Sequence, residues 1–223
     1  MGVTAKGTGP SPTVTCLGVN IDPELTFALH TKRVAARCFY KLRQLRTIRH
    51  SLSADNARML VHALVSTQVD YCNSILYQVV AVHLRPLQSV LNSAAGLIVR
   101  KQKYDHITST LRDDLHWLPV HQRIEYKLVL FVFKCQHQMA PSYLSMICAP
   151  LSASDSQRHR NRAPAQGDLD VPFSRISYSE GSFPVSGPTC WNALPSELKL
   201  AVLTLYHFCS RLKTVLFISS YYA

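Results

Sequence analysis

The stretch of residues 30–50 constrains the fold of this chain more than any other. Its apolar residues recur at spacings of four, four, three and three positions, which places them on one face of an α-helix. These residues are Val34, Cys38, Leu42, Leu45 and Ile48. Much of the remaining circumference is basic, and no acidic residue occurs between Phe27 and Ala54. The stretch therefore predicts a helix with one apolar face and a strongly basic remainder.

Other stretches predict further helices along the chain. Ser53 is a good N-cap for the second helix, and Pro86 and Pro119 suit the first turns of two more. Gly96 lies inside the helix that starts at Pro86 and costs about 1 kcal/mol relative to alanine. The helices predicted after the first cover residues 53–68, 86–100, 120–138, 142–147, 196–200 and 204–217.

The N-terminal end and the region before the last helices have a different composition. Residues 14–19 predict a short strand, residues 20–23 a turn and residues 25–27 a second strand. Residues 152–188 combine Ser, Pro, Gly and Arg with few aliphatic residues, which is typical of a loop. The predicted organisation is a disordered segment 1–13, a hairpin and helical region 14–151, a loop-rich connector 152–188 and a C-terminal helical segment 189–223.

The charge balance narrows the class of partner. The chain carries 24 Lys and Arg residues against 13 Asp and Glu, so its formal net charge is +11 and its pI is about 9.5. Such an excess favours polyanions, chiefly nucleic acid, through electrostatics that do not depend on sequence. A basic solvated surface that binds nothing is the alternative interpretation.

The cysteines and the hydropathy pattern indicate the compartment. Seven cysteines are an odd number, and no pair has C-x₂-C spacing, which argues against a disulfide framework and against a zinc ribbon. Cys135 and His137 are close in sequence, but their context predicts a buried helix. Free thiols favour an intracellular setting, in the nucleus or cytoplasm. No run approaches 18 apolar residues and no signal peptide is visible, so we expect no membrane association.

Four sequence blocks carry a resemblance to a known family. They are CLGVNID at residues 16–22, VDYCNSIL at 69–76, DHITSTLRDDLHWLPVHQRIEYKLVLFVFKCQHQMAPSYL at 105–144 and SFPVSGPTCWNALPSEL at 182–198. In this order they resemble the primer grip, thumb and C-terminal region of reverse transcriptases from LINE-type (non-LTR) retrotransposons of the Jockey superfamily. The resemblance implies a mainly α fold, with a short β-hairpin followed by a thumb-like helical bundle and a C-terminal α region. It also implies that the catalytic half of the enzyme would lie before residue 1.

The residues needed for polymerase chemistry are missing from this sequence. In the family, a Tyr-x-Asp-Asp hairpin and an earlier Asp hold two metal ions about 4 Å apart. The chain has no Tyr-x-Asp-Asp, and its one Asp pair, Asp113 and Asp114, lies in TLRDDLHW, which predicts a solvated acidic turn. It also lacks G-x-S-x-G and G-x-x-x-x-G-K-[ST] motifs. We therefore predict no catalytic residue, no metal site, no cofactor and no enzyme activity for this chain.

The resemblance does imply nucleic-acid contacts. CLGVNID resembles the primer grip, where Gly18 would let the backbone approach a nucleic-acid strand closely. The first predicted helix resembles the start of the thumb, which grips the primer–template duplex through its backbone. The predicted contacts on this helix are Lys32, Arg33, Arg37, Lys41, Arg43, Arg46 and Arg49. Within this set Arg33, Arg37 and Lys41 form one i, i+4 row, whose mutual repulsion an anionic partner would relieve.

Two features outside this helix have both a binding and a structural interpretation. Arg158, His159, Arg160 and Arg162 form a second basic cluster, which predicts either an RNA-binding arm or an ordinary soluble loop. Trp117 and Trp191 could stack on bases. Because both precede Leu-Pro turns at helix starts, in LHWLPV and CWNALP, we favour buried anchors.

The sequence thus predicts a truncated reverse-transcriptase fragment with, at most, non-catalytic and sequence-tolerant binding of RNA or an RNA–DNA duplex. A host-recruited protein-interaction module and a non-functional fossil reading frame remain alternatives. Pro86, Gly96 and the sequence FPVSGP depart from the family pattern, which fits a decayed element copy. Without a palm domain to pack on, the hairpin is expected to mediate self-association through the apolar residues Val14, Leu17, Val19 and Ile21.

Overall fold

A computed structural model describes residues 13–101, 105–148, 167–172, 181–199 and 202–222 of the chain. The predicted mainly α fold with an N-terminal β-hairpin is confirmed. The predicted disordered segment, apart from Thr13, lies outside the described residues, as does most of the predicted connector. The strands are β1 (Val14–Cys16) and β2 (Val19–Ile21), and the helices are α1 (Ala28–Ile48), α2 (Ala54–Val61), α3 (Thr67–Asp70), α4 (Ala81–Val99), α5 (Val120–Gln136), α6 (Ser142–Ser145), α7 (Phe183–Asn192) and α8 (Leu205–Tyr221).

The hairpin turns earlier than the sequence pattern indicated. β1 and β2 pair antiparallel, with Cys16 opposite Val19, so Leu17 and Gly18 form a two-residue turn. Both turn residues have positive φ, 47° and 80°, the backbone that suits the twist of a two-residue hairpin. The predicted single strand 14–19 with a turn at 20–23 is therefore wrong. The predicted second strand at 25–27 is also wrong, because Leu25 and Phe27 have left-handed backbone conformations.

Asp22 directs the chain from the hairpin into α1. Its carboxylate accepts hydrogen bonds from the backbone N–H and hydroxyl of Thr26, at 2.8 and 2.7 Å, and from the N–H of Phe27 at 2.8 Å. Burial raises the pKa of Asp22, but these hydrogen bonds outweigh it and hold the pKa below its ordinary value. The carboxylate thus binds donors that α1 would otherwise leave without an acceptor at its start.

The central contact of the fold is the packing of α1 against α4. The buried face of α1 includes Val34, Cys38, Leu42 and Leu45, as predicted, and it meets buried Leu and Val residues of α4. Ile48 departs from the prediction, since it is 47% exposed. Helices α2 and α3 are joined by a π-helical turn at His62–Ser66. Together they cover one side of the α1–α4 pair. The predicted N-cap Ser53 accepts a hydrogen bond from the N–H of Asn56 at 3.1 Å.

Helix α4 begins five residues before Pro86, so the predicted start at this proline is wrong. Pro86 has no N–H to donate within the helix. Its neighbours Leu84 and Leu87 are both buried in the core, and their burial offsets the missing hydrogen bond. The apolar pattern therefore outweighs the preference of proline for the first turn.

The C-terminal part packs on α5 and shares its core with the N-terminal part. Phe133 of α5 stacks on Phe208 of α8 with ring centroids 4.0 Å apart, and Trp191 of α7 lies 5.9 Å from the same ring. Helix α7 crosses the predicted boundary at residue 188, so residues 183–188 are helix, not connector. Pro184 lies in the first turn of α7, where proline is tolerated. A short 3₁₀ turn, Ser196–Leu198, replaces one predicted helix.

Two glycines inside helices should respond oppositely to alanine. A Cβ at Gly96 would lie 3.8 Å from Ile107 Cδ1, an ordinary contact, so Gly96→Ala should raise the free energy of unfolding by up to about 1 kcal/mol. A Cβ at Gly187 would lie 3.0 Å from Cγ2 of the fully buried Val132, so Gly187→Ala should lower it by about 1–3 kcal/mol. Urea denaturation followed by circular dichroism measures both. A destabilised Gly96→Ala protein would contradict the packing around α4.

Candidate nucleic-acid interface

The hairpin is tied to the first turns of α1 through Asn20. Its buried backbone N–H donates to Nδ1 of His30 at 3.3 Å, and its side-chain oxygen accepts hydrogen bonds from Arg33 and from the Thr15 hydroxyl. Burial lowers the pKa of His30, and the nearby positive charge of Arg37 lowers it further. His30 is thereby held neutral, with Nδ1 free to accept. Arg33, a predicted contact, therefore has a structural hydrogen bond at the hairpin.

This contact also corrects the expected exposure of the hairpin. Val19 and Asn20 are buried against α1, whereas Val14 and Leu17 on the outer strand and turn are 63% and 83% exposed. The expectation that all four apolar hairpin residues lack a partner is wrong for Val19. Gly18 lies in the exposed turn. The hydroxyl of Tyr71 donates a hydrogen bond to the Leu17 carbonyl of this turn at 2.9 Å.

The basic residues of α1 lie on both sides of its buried stripe. At about 100° per residue, Arg33, Arg37 and Lys41 follow one flank. On the other flank, the basic residues are Lys32, Arg43 and Arg46. All except Lys41, which is half-buried, are exposed. The structure therefore places six of the seven predicted helix contacts at or near the surface.

Five acidic residues of the described part form ion pairs with basic residues outside α1. The pairs join Asp55 to Arg58, Asp113 to Arg112, Glu125 to His121, Asp70 to Arg123 and Asp168 to Lys199. None of these pairs includes a basic residue of α1. Within the described residues, the charges of Lys32, Arg37, Arg43 and Arg46 thus have no carboxylate within ion-pair distance.

Arg49 is the exception, because the structure gives this predicted contact a buried structural role. Its side chain is 8% exposed, and its guanidinium donates to the carbonyls of Leu97 at 2.8 Å, Ile98 at 2.6 Å and Leu52 at 2.8 Å. The carbonyls of Leu97 and Ile98 lie in the last turn of α4, where helix carbonyls lack intrahelical donors. Arg49 therefore closes the end of α4, and each of its three guanidinium nitrogens already donates to a carbonyl.

The structure adds basic residues that the sequence did not single out. Arg100 and Lys101 follow the end of α4, and His50 follows Arg49. Together with Arg46 they surround a cavity of about 780 Å³ between the ends of α1 and α4. Arg100 and Lys101 are far from α1 in sequence, so no spacing rule groups them with its basic residues.

The other candidate residues have structural roles or lie elsewhere. Trp191 is buried and donates its indole N–H to the Gly167 carbonyl at 2.9 Å, as expected of an anchor. Cys135 is buried, and the ring of His137 stacks on Phe133 at 3.9 Å. In the described part of the chain, no three His, Cys, Asp or Glu side chains are grouped to hold a metal. The second basic cluster, at residues 158–162, lies outside the described residues.

Comparison with known proteins identifies no relative. No protein-family model, no curated protein and no solved structure matches the chain. Among the helices that the structure describes, none is long and apolar enough to cross a bilayer. The resemblance to reverse transcriptases therefore stays a prediction.

The role of Arg49 gives a stability prediction. Arg49→Met should lower the free energy of unfolding by about 3 kcal/mol, because it leaves buried carbonyls without donors. Arg46→Met, one turn earlier on the same helix and exposed, should change it by less than about 0.5 kcal/mol. Urea denaturation of the two variants gives the comparison. Equal stabilities would show that Arg49 does not close the end of α4.

Proposed function

We propose that this chain binds the backbone of RNA or of an RNA–DNA duplex without reading its sequence, through the exposed basic surface of α1. The observation that carries the proposal is the set of exposed side chains Lys32, Arg37, Arg43 and Arg46, which form no ion pair with any described carboxylate. The five carboxylates that are ion-paired in the described structure have their partners outside α1.

Electrostatics support this choice of partner. Like charges one turn apart destabilise a helix, and a polyanion lying along α1 turns that repulsion into attraction. Contacts from Lys and Arg to phosphates position a strand but carry no base information. The resemblance of the sequence to a reverse-transcriptase thumb supports the same role.

The proposed role is non-catalytic, and its place is the nucleus or cytoplasm, where RNA is abundant. Burial raises the pKa of Cys38 and Cys190 to about 11 and that of Cys148 to about 12. Such thiols are poor nucleophiles, because the thiolate is the reactive form. They therefore favour a structural role for these cysteines in a reducing compartment.

The surface is tested by removing three exposed charges that form no ion pair or side-chain hydrogen bond within the described structure. Lys32, Arg37 and Arg43 are changed together to Gln, a good helix former. The slope of log affinity against log salt for an RNA–DNA duplex should become shallower by up to about 3 units. Fluorescence anisotropy at several salt concentrations measures the slope, and circular dichroism checks the fold.

A matched control removes the same charge from other helices. Arg85 on α4 and Arg211 and Lys213 on α8 are exposed, and changing them together to Gln should leave most of the slope intact. If the salt slope becomes shallower by the same amount in both triple variants, binding depends on net charge alone. If neither variant changes it, α1 is not the binding surface.

Protein contact through the hairpin is a second candidate function. Val14 and Leu17 are exposed apolar residues of the hairpin, and the turn at Leu17 lies next to Tyr71, which is 55% exposed. An apolar patch on a two-stranded sheet favours contact with another protein or with a second copy of the chain.

The hairpin turn offers a clean test of this second candidate. Leu17→Asn places Asn-Gly, the preferred pair for two positive φ angles, in the turn and removes the exposed leucine. The melting temperature should stay equal or rise, while self-association measured by light scattering at high protein concentration should fall. Leu25→Asn, also at a positive φ and outside the hairpin, is the control. Unchanged association in Leu17→Asn would exclude the turn as a contact surface.

A further inference from the structure

The cavity between the ends of α1 and α4 is lined by more basic than acidic side chains. Its walls combine the basic side chains with small and polar residues from α4. The residues that matter for its chemistry are Arg46, Arg49, Arg100, Lys101, Ser93 and Asp105. Its volume of about 780 Å³ is within the range of small-molecule sites.

The positive charges around this cavity exceed what the helix end requires. The C-terminus of α4 is equivalent to about half a negative charge, and the buried Arg49 already donates to its carbonyls. Among the described residues that line the cavity, Asp105 is the one carboxylate. Burial lowers the pKa of Arg49, and the nearby Arg100 guanidinium lowers it further, a sign that the cations repel each other.

The backbone at Arg100 decides which substitution can test its side chain. Arg100 ends α4 with φ at 59°, the left-handed conformation that glycine adopts most easily and that ends many helices. An arginine held there disfavours the fold relative to glycine. The one hydrogen bond of its side chain in the described structure is long, 3.5 Å to the Arg49 carbonyl, so this side chain contributes little to the fold.

We infer that this cavity binds one phosphate group of the bound nucleic acid, with Arg100, Lys101 and Arg46 as its donors. The inference rests on the proposed function, because the cavity continues the basic flank of α1. From Lys32 to Arg46 the flank extends over about 21 Å, at 1.5 Å per residue. A strand lying along it passes about six phosphates and reaches the cavity at Arg46.

Arg100→Gly tests this inference, because structure and binding predict opposite effects. Glycine relieves the left-handed backbone, so the melting temperature should stay equal or rise. The dissociation constant for inorganic pyrophosphate, measured by calorimetry, should rise by about tenfold or more, and the salt slope of RNA binding should fall by about one unit. Arg46→Gln, an exposed helical position, is the second variant, and Arg85→Gln at the other end of α4 is the control.

Two oligonucleotides of one sequence identify the source of the phosphate. If Arg100→Gly weakens binding of an RNA with a 5′-phosphate but not of the same RNA with a 5′-hydroxyl, the cavity takes a terminal phosphate. Equal weakening of both means that it takes a phosphate within the strand. Unchanged binding of both RNAs and of pyrophosphate would overturn the inference.

The same measurements separate this inference from the proposed function. If the unaltered chain binds RNA and Arg100→Gly leaves every slope unchanged, the inference fails while the function on α1 stands. If the unaltered chain binds pyrophosphate but no RNA, and Arg100→Gly abolishes that binding, the proposed function fails and the anion site stands. If neither ligand binds the unaltered chain, both fail.

Discussion

The packing of α1 on α4 is the contact on which the other features depend. The stripe that α1 buries is narrow, and up to Leu45 it carries no residue that stays charged. Cys38 at its centre has its pKa raised to about 11 by burial, so the thiol is neutral there. Because no Lys or Arg can enter this stripe without a partner, the basic residues before Arg49 are forced to its edges and to solvent. The position of the basic surface of α1 therefore follows from the packing of its apolar face against α4.

Arg49 and Arg100 show how two arginines at one helix end can have different roles. Arg49 enters the core because three carbonyls accept its donors, which offsets the cost of burying its charge. Arg100 is exposed and adds repulsion to a helix end that Arg49 has already closed. The inferred phosphate site therefore depends on Arg100, whose side chain has few partners in the described structure, and not on Arg49.

The sequence predicted the helices better than the turns. Period 3.6 identified α1, α5 and α8, since their buried residues recur strictly. Leu17–Gly18 is not a common turn pair, and the FPVSGP stretch of α7 has the composition of a loop. In both segments, packing against the rest of the protein determines the secondary structure, and local sequence does not. The burial of Arg49 could have been found, because it lies four residues after Leu45 and seven after Leu42, within the stripe. Arg100 could not, because its role depends on an end-to-end contact between distant helices.

Net charge alone could not have located an interface on this protein. An excess of +11 is compatible with a uniform basic surface, in which acids and bases alternate and the local field stays weak. In the described structure, the carboxylates of Asp55, Asp70 and Asp168 are paired with Arg58, Arg123 and Lys199, which all lie outside α1. The exposed basic residues of α1 therefore form a stretch of single-sign charge that ends at a basic cavity. Because screening limits a field to about 10 Å at 0.1 M salt, a polyanion would respond to this local concentration of charge more than to the net charge.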